Sequence, residues 1–118
     1  MGDSPLANRK CQPCEGGVDP LPPSAVNAYL RDLPGWELSD DGKRIRKAVK
    51  CRNFLDAIAL IQRLAPIAEA EDHHPDLHLT GYRQLMIELS THAIGGLSEN
   101  DFILAAKFDP LLPAATRS

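Results

Sequence analysis

Two spacings of apolar residues alternate along this chain, and each predicts a different element. In "NFLDAIALIQRLAPIAEA", Phe54, Ile58, Ile61, Ala65 and Ala68 recur every three or four positions, with Ala57 and Leu64 broadening the stripe. That pattern predicts a long amphipathic helix beginning near Asn53. Pro66 lies inside it without a backbone donor, so a kink or an interruption is expected there. In "RQLMIELSTH" the period falls to two: Leu85, Ile87, Leu89 and Thr91 point one way, Met86, Glu88, Ser90 and His92 the other,. Pro75 stops any helix from running on, and "DLHLTGY" reads as a strand that bends at Gly81,.

The flanking segments complete the pattern. Ser24 is the expected N-cap of a short helix that buries Val26, Tyr29, Leu30 and Leu33 and ends at Pro34-Gly35,. "WELSDDGKRIRKAVK" predicts two short strands around Asp41-Gly42, with Trp36 and Leu38 on one face of the first, Ile45 and Val49 on one face of the second,. In "SENDFILAAKF", Ser98 as N-cap and Asp101 three residues on make a capping-box-like start, and Phe102, Leu104, Ala105 and Phe108 form the apolar side,. The order is helix, hairpin, long helix, two strands, helix. It predicts an α+β fold, an antiparallel sheet of about four strands with helices packed on one face.

At 118 residues the chain is expected to hold one domain, residues 24–110,. Residues 1–23, rich in Pro and Gly, read as an extended leader, and deleting residues 1–20 should spare turnover; residues 111–118 read as a tail,. Net charge is −3, and no apolar run reaches the roughly 20 residues of a membrane span,. The expectation is a cytoplasmic protein with no membrane partner. Three cysteines, an odd number, suit a reducing compartment better than a disulfide framework,. "KRIRKAVKCR" holds six basic residues in ten, but the acidic total and the lack of interleaved aromatics favour a solvated hairpin face over a nucleic-acid site,.

The candidate chemistry lies in "AEAEDHHPDLH", which carries three of the four histidines. As zinc ligands, His74 and His78 fit poorly: on a strand they stand about 13 Å apart. Cys11-x-x-Cys14, with no second pair at finger spacing, adds little to a zinc reading. As acid–base groups the adjacent His73 and His74 fit better, since imidazole exchanges a proton near neutrality. Asp72 and Glu69 stand near enough in sequence to orient them. His92, at the end of another strand, is expected to meet the pair in space across a shallow cleft.

Glu69, His73-His74-Pro75, Tyr82, His92 and Asp101 form one spaced set: acid, three positions, His-His-Pro, an aromatic after a short gap, nine positions, His, eight positions, Asp. This set resembles the signature of the pterin-4a-carbinolamine dehydratases, and "PGWEL" and "NFLDAIALI" extend the resemblance over most of residues 24–108. Three departures stand out. One extra residue, near Gly81, separates His-His-Pro from His92; Leu77 replaces a Trp of the animal enzymes; Pro66 has no expected counterpart.

The resemblance implies a hydro-lyase that removes water from 4a-hydroxytetrahydrobiopterin to give quinonoid dihydropterin, in tetrahydrobiopterin recycling, with no metal or organic cofactor. It implies His73, His74 and His92 as catalytic residues, with His73 and His74 moving protons and His92 binding substrate. Asp72, Ser90 and Thr91 are implied as pocket-lining, and Glu69, Tyr82 and Asp101 as support. Asp101 also reads as a helix cap, and Tyr82 as strand packing. A homodimer or homotetramer is implied. Two other readings stay open: a dimerisation partner of a transcription factor, as animal members are, and a zinc protein.

Overall fold

β4 (Gln84–Leu89), whose alternate residues are buried, lies inside the sheet between two neighbours. The computed structural model describes residues 5–11 and 19–113. Its other elements are α1 (Pro23–Arg31), β1 (Glu37–Leu38), β2 (Ile45–Lys50), α2 (Phe54–Glu71), β3 (Asp76–Thr80) and α3 (Glu99–Phe108), with 3-10 turns at Pro5–Asn8, His92–Ile94 and Asp109–Leu111. The four strands form one antiparallel sheet in the order β1-β2-β4-β3. Ile45 pairs with Leu89 and Val49 with Leu85 across β2 and β4, so their side chains share the buried face. Ala48, Lys50 and His78 face outward and are exposed. The α+β architecture is the one expected.

α3 is the centre of the core. All its residues except Glu99 and Lys107 are buried, the condition of a helix covered on every side,. α2 and the Pro5–Asn8 turn pack against it, and Tyr29 of α1 stacks on Phe102 with ring centroids 5.0 Å apart. Ser98 caps its start: Ser98 Oγ accepts the Asn100 N–H at 3.2 Å, and the Asp101 carboxylate accepts the Ser98 N–H at 3.0 Å. The expected capping box is present.

Four details depart from the sequence expectations. α1 begins at Pro23, one residue before Ser24, because proline at the first helical position already has a helical φ and needs no amide partner,. α2 runs unbroken through Pro66, and its buried stripe is Ala57, Leu60, Leu64 and Ala68. Ala57, Leu64 and Ala68 are buried as expected, but Phe54 and Ala65 are exposed and Leu60 is buried in their stead, a rotation of the buried face toward Leu60. β1 has only two residues. Trp36 precedes it and is buried, its indole N–H donating to Asp109 Oδ1 at 2.8 Å, while Leu38 on this edge strand stays 38% exposed.

The fourth departure is in the leader. Leu6 is buried in the core, and Lys107 Nζ donates to the Ala7 carbonyl at 2.9 Å. The Cys11 N–H donates to Glu71 Oε1 at 2.8 Å, and Arg9 pairs with Glu99. Residues 5–11 therefore form a strap across α3 and the end of α2. Further on, Leu21 N–H bonds the Leu97 carbonyl at 2.9 Å, and a Cβ on Gly96 would sit 2.9 Å from Pro20 Cβ. Glycine at 96 is what lets these two segments touch.

Candidate active site

α2 ends in a way that aims both adjacent histidines. Asp72 takes the left-handed conformation, φ 53°, which only Gly, Asn and Asp adopt readily,. The Asp72 N–H bonds the Glu69 carbonyl at 3.2 Å and the His73 N–H bonds the Ala68 carbonyl at 3.2 Å, a Schellman closure,. The chain turns sharply, and Pro75 then leads it into β3,. Asp72, expected as a pocket-lining residue, also terminates the helix, and its side chain is exposed.

Each histidine of the pair meets its own carboxylate. His73 Nε2 lies 2.6 Å from Asp101 Oδ1; the ring is nearly buried and Asp101 is wholly so. His74 Nε2 lies 3.0 Å from Glu69 Oε1, with both side chains largely exposed. The contact between His73 and Asp101 joins residues 28 apart in sequence. Asp101 thus has two tasks, capping α3 and holding His73.

The Asp101 carboxylate is held from its other side too. Thr91 is buried, and its hydroxyl donates to Asp101 Oδ2 at 2.8 Å; the Thr91 and Ser98 hydroxyls are also 2.8 Å apart. A backbone bridge between Thr91 and Gly96 closes the intervening loop, bringing Thr91 against Ser98. Strand alternation put Thr91 on the inward face. A polar residue there needs a buried partner, and that need was the signal for the Asp101 contact.

His92 does not continue β4. The strand ends at Leu89, and His92 opens a 3-10 turn, exposed, one residue beyond the Thr91 that holds Asp101. Ser90 is half-buried between the two. Tyr82 is not brought to the pair. It sits 58% exposed at the β3–β4 turn, φ 56°, with Arg83 over its ring, and the length of β3, roughly 14 Å, separates that turn from Asp76,. His78 faces outward and meets Glu88 Oε1 at 3.1 Å. Among the described residues, no cluster of three His, Cys, Asp or Glu side chains is arranged to hold a metal ion.

Cys11 stands beside Asn100, its Sγ 3.6 Å from that carbonyl. Its thiol is pushed up to about 12, first by burial and then by the negative charges of Glu71 and Asp101. It stays protonated at neutral pH and makes a poor nucleophile or metal ligand. Cys14 lies outside the described residues. A cleft of about 780 Å³ lined by Pro34, Gly35, Arg46, Lys47, Met86 and Asp109, among others, contains none of the histidines. Lys47 there is paired with Asp109 at 3.3 Å, so the cleft offers volume without the paired imidazoles and carboxylates found around His73.

The family model for pterin 4 alpha carbinolamine dehydratase matches residues 19–111, which include the histidine pair, Thr91, His92 and Asp101. The chain belongs to that family. A Nitrosomonas eutropha protein carrying the family's name is 49% identical over 108 residues, 91% of this chain and 93% of its own length. Pterin-4-alpha-carbinolamine dehydratase 2, mitochondrial, of Arabidopsis thaliana is 41% identical, over 90% of this chain and 58% of the plant protein. The fold agrees as well: a crystal structure titled as a transcriptional coactivator/pterin dehydratase from Brucella melitensis superposes with a TM-score of 0.75 at 30% identity, covering 80% of this chain and all of that one. Family membership places the protein among dehydratases, hydro-lyases by reaction class.

Proposed function

We propose that this protein dehydrates 4a-hydroxytetrahydrobiopterin to quinonoid dihydrobiopterin and water, in tetrahydrobiopterin recycling, by histidine acid–base catalysis. One observation carries the reading: two adjacent imidazoles, each backed by a separate carboxylate, one nearly buried and one exposed. The reaction needs two proton transfers on neighbouring atoms. An acid protonates the departing hydroxyl on C4a, the N5 lone pair expels it as water, and a base takes the N5 proton as the C4a–N5 double bond forms. One proton is delivered and one is recovered, so the pair ends with as many protons as it began with.

His73 and His74 carry these transfers, and His92 binds the pterin and stabilises charge. Glu69 and Asp101 orient the two rings, as carboxylates beside catalytic imidazoles do. No step calls for a metal or an organic cofactor, and activity is expected to survive exhaustive chelation. Loss of turnover with a chelator and its return only with zinc would contradict this.

The direct test mixes the protein with chemically generated 4a-hydroxytetrahydrobiopterin and follows absorbance as water is lost. A rate no higher than the spontaneous one would overturn the proposal. The same reading places the protein in the cytoplasm as a homodimer or homotetramer. Phe54 and Leu55, exposed at the start of α2, and Tyr82, in the turn that bonds back to Cys51, give one end of the molecule apolar surface for such contacts. Sedimentation of the purified chain as a monomer at micromolar concentration would count against it.

A further inference from the structure

We propose that Thr91 and Ser98 are positioning residues that set the tautomer of His73 through Asp101, leaving Nδ1 as the nitrogen that exchanges a proton with substrate. The last clause rests on the reading of His73 as a proton-transfer residue; the tautomer assignment does not.

The argument is a count of protons. The Asp101 carboxylate already accepts two donors, and a carboxylate only accepts, so each of its contacts must bring a proton,. Asp101 Oδ2 takes the Ser98 N–H at 3.0 Å and the Thr91 hydroxyl at 2.8 Å. Oδ1 is left to His73 Nε2 at 2.6 Å, so against an accepting carboxylate Nε2 bears the hydrogen,. In a neutral ring with Nε2 protonated, Nδ1 holds the lone pair.

Thr91 has one hydroxyl proton and gives it to Oδ2. At the 2.8 Å contact between the hydroxyls, Ser98 is therefore the donor. The chain of donation is directional, from Ser98 to Thr91 to the carboxylate. Two donors on Oδ2 stop the carboxylate from rotating, and the wholly buried setting excludes water that could replace them,. Thr91 is implied by the family resemblance as pocket-lining, and its hydroxyl bonds Asp101.

The test combines ring-nitrogen NMR on the full-length chain labelled with ¹⁵N-histidine and steady-state kinetics on 4a-hydroxytetrahydrobiopterin. Loss of one set of signals in His73→Gln assigns the resonances. In the unaltered protein His73 should show a protonated Nε2 and a bare Nδ1. Thr91→Val should yield a tautomer mixture and a kcat about tenfold lower, the rate equivalent of one hydrogen bond to a charged group. KM should stay within about twofold, since the Thr91 hydroxyl is engaged by Asp101, and Thr91→Ser should restore both the tautomer and kcat,.

A protonated Nδ1 in the unaltered protein would overturn the proposal, and that measurement needs no variant to fold. So would a Thr91→Val protein that keeps a single tautomer and loses kcat only in proportion to its unfolded fraction. The expected ring signals in a protein without turnover would sustain the tautomer assignment and sink the catalytic reading.

Discussion

His74→Ala and His73→Ala should each lower kcat by about 10²- to 10⁴-fold, the usual cost of removing one general acid or base. The visible loss is smaller if spontaneous dehydration of the carbinolamine is fast, so each rate must be corrected for it. Asp101→Asn should resemble His73→Ala in kcat. An amide of the same size can still accept the Ser98 N–H, but its nitrogen turned toward Oδ1's place would face the His73 Nε2–H, donor against donor,. His92→Ala should act chiefly on KM. His78→Ala should change little, because His78 points away from the helices and is paired with Glu88. The double change at His73 and His74 should cost less than the product of the single effects, since both act on one transition state. Saturation curves on folded variants decide the matter. Equal damage from His78→Ala and His74→Ala, or full activity in all three signature variants, would show the site to be wrongly assigned.

Leu6→Ala is expected to cost about 2 kcal/mol of stability, the lower range for a buried leucine,. The loss has a ceiling, because the strap can undock before the domain unfolds. Leu6→Ala and deletion of residues 1–11 should therefore converge on one stability, well below that of the full chain. Urea unfolding of the three proteins measures this. A deletion as stable as the parent would mean that the strap contributes nothing.

Glu71 makes the same contact sensitive to pH. The Cys11 N–H and the charges of Lys107 and Lys10 hold its carboxyl below the ordinary value, outweighing burial. A carboxyl depressed on folding adds stability above its unfolded pKa and loses it as pH falls through the folded one. The strap's contribution should be complete at pH 7 and fade below the usual range for glutamate, and Glu71→Gln should flatten that part of the profile.

Much of this fold could be read from local pattern. The alternation in β4 carried its burial correctly because a strand's faces follow from a period of two with no further information,. Ser98 and Asp101 were legible as a cap because both partners lie within one turn. The same aspartate's bond to His73 was not legible, since it depends on how α3 docks beside the end of α2. The rotation of α2 was not legible, since Phe54 has the spacing of a core residue while the face that turns inward is decided by neighbours outside the helix. The strap was missed for a similar reason. One leucine among prolines and glycines makes no periodic signal, and its anchors Glu71 and Lys107 stand far along the chain.

Those distant anchors set when the molecule can close. Ala7 meets Lys107, Arg9 meets Glu99 and Cys11 meets Glu71 across 100, 90 and 60 residues of chain. During synthesis, at about 5–20 residues per second, residues 7–11 must wait until residues 71–107 have been made,. Until then His73 has no Asp101 and the sheet has no α3 to cover it. The nascent chain is thus expected to stay open, its β-strands uncovered, until α3 has emerged, and to acquire strap, core and the His73–Asp101 contact together.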